Sequence, residues 1–135
     1  MTGSLVYVDS SAIVKLVVRE PESSALFDWL ATRPERISSA VARVEVPRAL
    51  RRAGLFGTAH RRRAMEVLDR LALLPLDRPI LDTAGELGPP ELRSLDAIHL
   101  ATALSVGADL AGLVTYDTRL AAAAALSRMA VWAPA

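Results

Sequence analysis

The amino-acid sequence predicts an α/β protein, a parallel sheet sandwiched between helices. Short β-prone runs alternate with helical stretches along the chain, the pattern left by parallel strands joined through helices. Apolar residues fill 52% of the 135 positions against 23% charged, so one domain with a buried core is expected. Two of the strand-like runs end directly at an aspartate, on the side where such folds gather ligands.

The first run is Leu5-Val6-Tyr7-Val8, closed by Asp9 and followed by a helical stretch over 12–18 that Ser10 and Ser11 are expected to cap. Apolar positions at Ala25, Leu26, Trp29 and Leu30 predict a helix over 22–31. Arg36-Ile37-Ser38-Ser39 reads as a second strand whose serines cap a helix over 40–53. Gly54 and Gly57 break that helix, and Thr58 starts a long amphipathic one through Leu73. Leu74-Pro75-Leu76 is a weak third strand, and Pro79 opens a helix that stops near Gly88-Pro89-Pro90. Ser94 is expected to cap a helix over 95–106. A buried strand over 112–116, a helix over 118–126 and a last strand over 129–132 complete the order.

Composition narrows the chemistry. With no cysteine, disulfides, zinc–thiolate sites and thiol nucleophiles are excluded. His60 and His99 are too few for a His-rich metal site, so a metal would be held by oxygen, which favours magnesium or manganese. Aromatics at 4% argue against a surface that binds single strands by stacking bases. No targeting or membrane-spanning segment is expected. Asp9 and Lys15 interrupt the apolar stretch in residues 1–20, and the run over 120–126 is too short to span a bilayer. The net charge is only +1, yet seven arginines (Arg43, Arg48, Arg51, Arg52, Arg61, Arg62, Arg63) stand against Glu45 alone between residues 43 and 63. They form either a positive flank to an acidic centre or two solvated helix faces.

Four acids lie beside or inside apolar runs, where a charge is costly unless compensated. They are Asp9, Glu45 in Val44-Glu45-Val46, Asp96 in Leu95-Asp96-Ala97, and Asp117 after Tyr116. Each also has a plain structural role open to it. Asp9 and Asp117 are suited to helix capping, Asp96 to a capping pattern with Ser94, and Glu45 to pairing with Arg48 or Arg52. Glu45 is expected about two turns into its helix, beside a kink at Pro47. Ser10 or Ser11 has the reach to bond Asp9 or a phosphate, although capping is the first expectation. Asp109 is a candidate outer contributor. His99, one turn after Asp96, reads as a core histidine with a satisfied hydrogen bond, and Trp29 and Trp132 as core. Asp28, Asp69, Asp77, Asp82, Glu66 and Glu86 are expected on polar faces or in loops, most of them in solvent. If the first four converge, their pocket suits a hard divalent cation able to drive phosphodiester hydrolysis.

The segments Asp9-Ser10-Ser11-Ala12, Val44-Glu45-Val46-Pro47-Arg48-Ala49-Leu50, Leu95-Asp96-Ala97-Ile98-His99-Leu100-Ala101-Thr102-Ala103 and Thr115-Tyr116-Asp117-Thr118-Arg119-Leu120 occur in that order. Together they resemble the PIN-domain ribonucleases, and most of all the small bacterial VapC toxins of toxin–antitoxin pairs, over roughly residues 5–132. The resemblance implies a single PIN-like domain over 1–135 and a Mg²⁺-dependent (or Mn²⁺-dependent) endoribonuclease. Asp9 and Asp96 would be the main metal ligands and Glu45 and Asp117 would complete the acidic centre. The Thr115 hydroxyl would lie close by, and the seven arginines would hold the RNA backbone. It further implies a cognate antitoxin and a homodimer, while a cytoplasmic location is expected from the lack of a recognisable targeting or membrane-spanning stretch. A phosphoaspartate phosphatase would want an acid where Ser11 stands, and a receiver domain a lysine near the last strands, whereas the one lysine is Lys15. The competing class is a non-catalytic RNA- or protein-binding α/β module, which would need no metal.

Overall fold

A computed structural model describes residues 3–135; Met1 and Thr2, part of the expected 1–135 domain, lie outside it. The elements run β1 (Leu5–Val8), α1 (Ser10–Val17), α2 (Ser23–Ala31), β2 (Arg36–Ser39), α3 (Ala42–Arg52), α4 (Thr58–Asp69), β3 (Ala72–Leu74), α5 (Arg78–Glu86), α6 (Ser94–Val106), β4 (Leu110–Val114), α7 (Thr118–Leu126) and β5 (Val131–Trp132). The five strands form one sheet in the order β3-β2-β1-β4-β5, and every pairing is parallel. Successive connections move outward from β1 to β3, then return to the other side of β1. The order therefore reverses between β1 and β4, and the crevice beyond their carboxyl ends is the expected ligand position.

The period-two alternation of β1 divides the core. Val6 and Val8 face a layer containing Ile13, Leu16, Leu26, Val46, Leu50 and Leu68, drawn from α1 to α4. Tyr7 faces the opposite layer, with Leu100 of α6 and Leu120 of α7. α5 closes on α6 through Ile80, Ala84, Ala97 and Ala101. The six acids expected on polar faces or in loops are all exposed. Trp29 and Trp132 are only partly buried and pack on each other at the margin of the first layer, ring centroids 5.0 Å apart.

Several boundaries differ from expectation for local reasons. β3 uses Ala72–Leu74, not 74–76, because register with β2 pairs Ile37 with Ala72 and Ser39 with Leu74. Pro75, lacking an N–H, falls just outside the ladder. Gly107, at φ 69°, ends α6, and a single 3₁₀ turn over Gly107–Asp109 leads into β4 two residues earlier than expected. Thr115 and Tyr116 consequently lie in the loop after the strand. Pro47 is accommodated inside a continuous α3. The N-cap of α6 is Arg93, with no side-chain bond, so Ser94 is not the cap.

Candidate active site

Asp9 is the first residue beyond β1 and caps α1, accepting the Ala12 N–H at 3.0 Å through Oδ1. Ser11 Oγ donates to the same oxygen at 2.7 Å, and Thr115 Oγ1 donates to Oδ2 at 2.6 Å. Ser10 and Ser11 therefore do not cap the helix, contrary to expectation; Asp9 does, and Ser11 braces it. Ser11 Oγ also accepts the Tyr116 N–H at 2.9 Å, tying the β1 end to the loop after β4. Only 3% of Asp9 is exposed. Burial pushes its carboxyl above the usual range, while His99 and the Thr115, Ser11 and Ala12 hydrogen bonds pull it back.

Asp117 caps α7, Oδ1 accepting from Arg119 and Leu120 N–H at 2.9 and 3.1 Å. Its own N–H donates to Thr115 Oγ1 at 3.0 Å, so one threonine hydroxyl links Asp117 to Asp9. Asp117 Oδ2 takes no hydrogen bond from the described residues.

Glu45 lies in the first turn of α3, not two turns in, because the helix starts at Ala42. Its Oε1 accepts Ser10 Oγ at 2.7 Å and lies 2.6 Å from His99 Nε2. His99 Nδ1 is in turn 2.7 Å from the Tyr7 hydroxyl. The expectation of a buried, satisfied histidine holds, but its partners make His99 part of the site. Its spacing, three residues after Asp96, places it on that residue's helix face, but no local signal in the sequence marks its contact with Glu45.

Asp96, in the first turn of α6, is half-buried and accepts no side-chain hydrogen bond among the described residues. Burial is the main influence raising its pKa, and the charges of Asp117, Asp9 and Glu45 add to it against an opposing pull from His99. It is the least compensated acid of the four.

Asp9, Glu45, Asp96 and Asp117 line one cavity of about 220 Å³ together with Ser10, Ser11, His99 and Arg52. Four segments of the chain, spread over more than 100 residues, thus meet beyond the carboxyl ends of the two central strands. Asp109 is at the other end of β4 and exposed, so it is no outer contributor. Of the seven arginines, only Arg52 reaches the acidic cavity. Arg43, Arg61 and Arg62 border a larger, mostly apolar groove of about 550 Å³ between α3 and α4, with Pro47, Leu50, Phe56, Met65 and Leu68. Arg43 pairs with Asp69 at 3.0 Å, Arg51 stacks on Phe56, Arg63 donates to the Leu16 carbonyl, and Arg48 is exposed.

The PIN-domain family model matches residues 6–126. This chain belongs to the PIN-domain family. Among curated proteins, this PIN domain is 57% identical over 129 residues to Ribonuclease VapC46 of Mycobacterium tuberculosis, covering 96% of the chain and 97% of the relative. Ribonuclease VapC35 of the same species is 46% identical (96% and 97% covered), and Ribonuclease VapC47 42% (86% and 87%). The crystal structure of PAE2754 from Pyrobaculum aerophilum is similar in fold, with a TM-score of 0.65, 26% identity, and 91% and 87% of the two chains covered. No helix among the described residues is long and apolar enough to cross a membrane.

The donor set suits a hard divalent cation. Every available ligand is a carboxylate oxygen, and Asp96, Glu45 Oε2, Asp117 Oδ2 and one lone pair of Asp9 Oδ2 remain open. Among the described residues, no three acidic or histidine side chains are drawn tightly enough to enclose an ion by themselves.

Proposed function

We propose that this protein is a metal-dependent endoribonuclease of the VapC toxin type, acting on RNA in the cytoplasm and neutralised by a cognate antitoxin. The observation that carries the reading is the convergence of four acids from separate segments on one cavity, in a PIN domain whose relatives are named ribonucleases.

In this scheme Asp9 and Asp96 would hold Mg²⁺ or Mn²⁺. The bound cation would polarise the scissile phosphate and acidify water. Glu45 would orient the attacking water and take its proton through Oε2, the oxygen that accepts no hydrogen bond from the described residues. Asp117 holds the loop carrying Thr115 and adds to the negative field that draws a cation in. Thr115 and Ser11 keep Asp9 in one orientation, so the ligand does not reorganise when the ion arrives. Arg52, at the rim, offsets the repulsion between this acidic pocket and an approaching phosphate. The other six arginines lie outside the cavity and would contact RNA only beyond the scissile step. An antitoxin that blocks the site would present basic groups to it, and a homodimer is the expected assembly.

The test is cleavage of labelled RNA by purified protein with Mg²⁺, with excess EDTA, and after Mg²⁺ or Mn²⁺ is restored. Cleavage that stops in EDTA and returns with metal supports the reading. Decay unchanged in EDTA overturns metal dependence. RNA binding without cleavage under any metal favours the non-catalytic module.

A further inference from the structure

The hydrogen-bond chain that ends on Glu45 begins in the core. β1 turns Tyr7 toward α6, where its ring meets His99 edge to face, centroids 5.7 Å apart at 78°. The Tyr7 hydroxyl is 2.7 Å from His99 Nδ1, and burial pushes that phenol up, so it keeps its proton. On the far side of the ring, Nε2 lies 2.6 Å from Glu45 Oε1. An ionised carboxylate only accepts, so Nε2 bears a proton and donates to Glu45, and in the neutral imidazole Nδ1 then receives the Tyr7 hydroxyl. Ser10 Oγ donates to the same Glu45 oxygen. The result is asymmetric: Oε1 is held by two donors, while Oε2 accepts from none of the described residues.

A histidine 1% exposed on a mostly apolar helix is costly unless both nitrogens are paired. Here both are, and one partner is a carboxylate of the reacting pocket. Glutamate has three side-chain torsions, and an untethered carboxylate near a helix start would sample several of them. We propose that His99 is the positioning residue for Glu45, carrying the order of the core through Tyr7 to the carboxylate and selecting Oε2 as the oxygen that meets water. This rests on the ribonuclease reading for its consequence, though not for its geometry.

Paired substitutions at His99 test it. The Gln amide nitrogen of His99→Gln falls near the position of Nε2, whereas the side chain of His99→Asn reaches only as far as Nδ1. His99→Asn should lower kcat about 10- to 100-fold with little change in KM, and His99→Gln should recover most of the loss. On a Glu45→Gln background, His99→Asn should change kcat by less than about twofold, because both substitutions act through one carboxylate. Losses that multiply across the two sites overturn the proposal, as does an unimpaired His99→Asn. If His99→Asn does not fold, Tyr7→Phe removes the same chain one step back and should show the same non-additivity. An independent readout uses the unaltered, metal-free protein. Nitrogen NMR of labelled histidine should show a protonated Nε2 and a bare Nδ1 at His99, with the signal shifting in Glu45→Gln. A bare Nε2, or a signal indifferent to Glu45→Gln, refutes the link. A wild-type protein that leaves RNA intact while the NMR result holds would remove the ribonuclease reading and leave the His99–Glu45 lock standing.

Discussion

Substituting Asp9 by asparagine and by alanine separates its chemical role from its structural one. Asparagine keeps an acceptor for Ala12 N–H and Ser11 Oγ but turns an amide toward Thr115 Oγ1, which now donates at 2.6 Å. One charge-assisted hydrogen bond, about 1.5–3 kcal/mol, is lost. Against it stands release of a buried charge, whose desolvation already pushes the Asp9 pKa up. Since asparagine also caps helices as well as aspartate, Asp9→Asn should fold within about 1 kcal/mol of the parent. Alanine removes the cap, about 1 kcal/mol, and leaves the buried Thr115 hydroxyl without its acceptor, about 1–3 kcal/mol more. Allowing for the relieved charge, Asp9→Ala should be less stable by about 2–3 kcal/mol. Urea unfolding in EDTA measures both. Cleavage of labelled RNA should fall at least about a hundredfold in either variant, roughly 2.7 kcal/mol of transition-state stabilisation. An Asp9→Asn protein that folds and cleaves like the parent would falsify the role of Asp9. Equal destabilisation by the two substitutions would refute the hydrogen-bond accounting.

Other outcomes follow from the same geometry. Asp96→Asn should abolish cleavage yet raise the melting temperature of the metal-free protein, by no more than about 1 kcal/mol in stability given its half-exposed position; a lowered melting temperature would contradict uncompensated charge at Asp96. Asp9 and Asp96 have raised pKa values when folded, so the folded state holds protons that the unfolded chain has released above the ordinary aspartate pKa of about 3.9. Metal-free stability should therefore fall as pH rises from about 4 through the folded values, and Mg²⁺ should restore it most at the high-pH end. Melting curves at several pH values, with and without Mg²⁺, check this, and a metal effect independent of pH would contradict it. Arg52→Ala should weaken RNA binding and reduce the slope of log affinity against log salt by about 1, while Arg62→Ala should leave cleavage of short RNA near the parent level. Equal effects at the two positions would remove the distinction between cavity rim and outer groove.

The amino-acid sequence alone determined the alternation of strands and helices, because each element is marked by short-range periodicity and by Gly, Pro and Ser punctuation. The placement of Asp9 and Asp117 at strand ends was legible for the same reason, as was the solvated state of Asp28, Asp69, Asp77, Asp82, Glu66 and Glu86. Spacing within one helix also contained the His99–Asp96 relation, although nothing local said that His99 would reach Glu45, 54 residues away. Boundaries that depend on pairing, such as β3 ending at Leu74 and β4 at Val114, needed the neighbouring strand to set the register.

Tertiary structure decided which charges share a field. The order β3-β2-β1-β4-β5 sets the ends of β1 and β4 side by side, so that Thr115 bonds Asp9 across 106 positions of chain. It also sent one arginine of seven to the acidic cavity and the rest elsewhere, which no local charge count can distinguish. The physical reason is one of range. Helix and strand propensities act over a few residues, whereas convergence of carboxylates, and the hydrogen bonds that make it tolerable, depend on how sheet edges and helix faces pack in space.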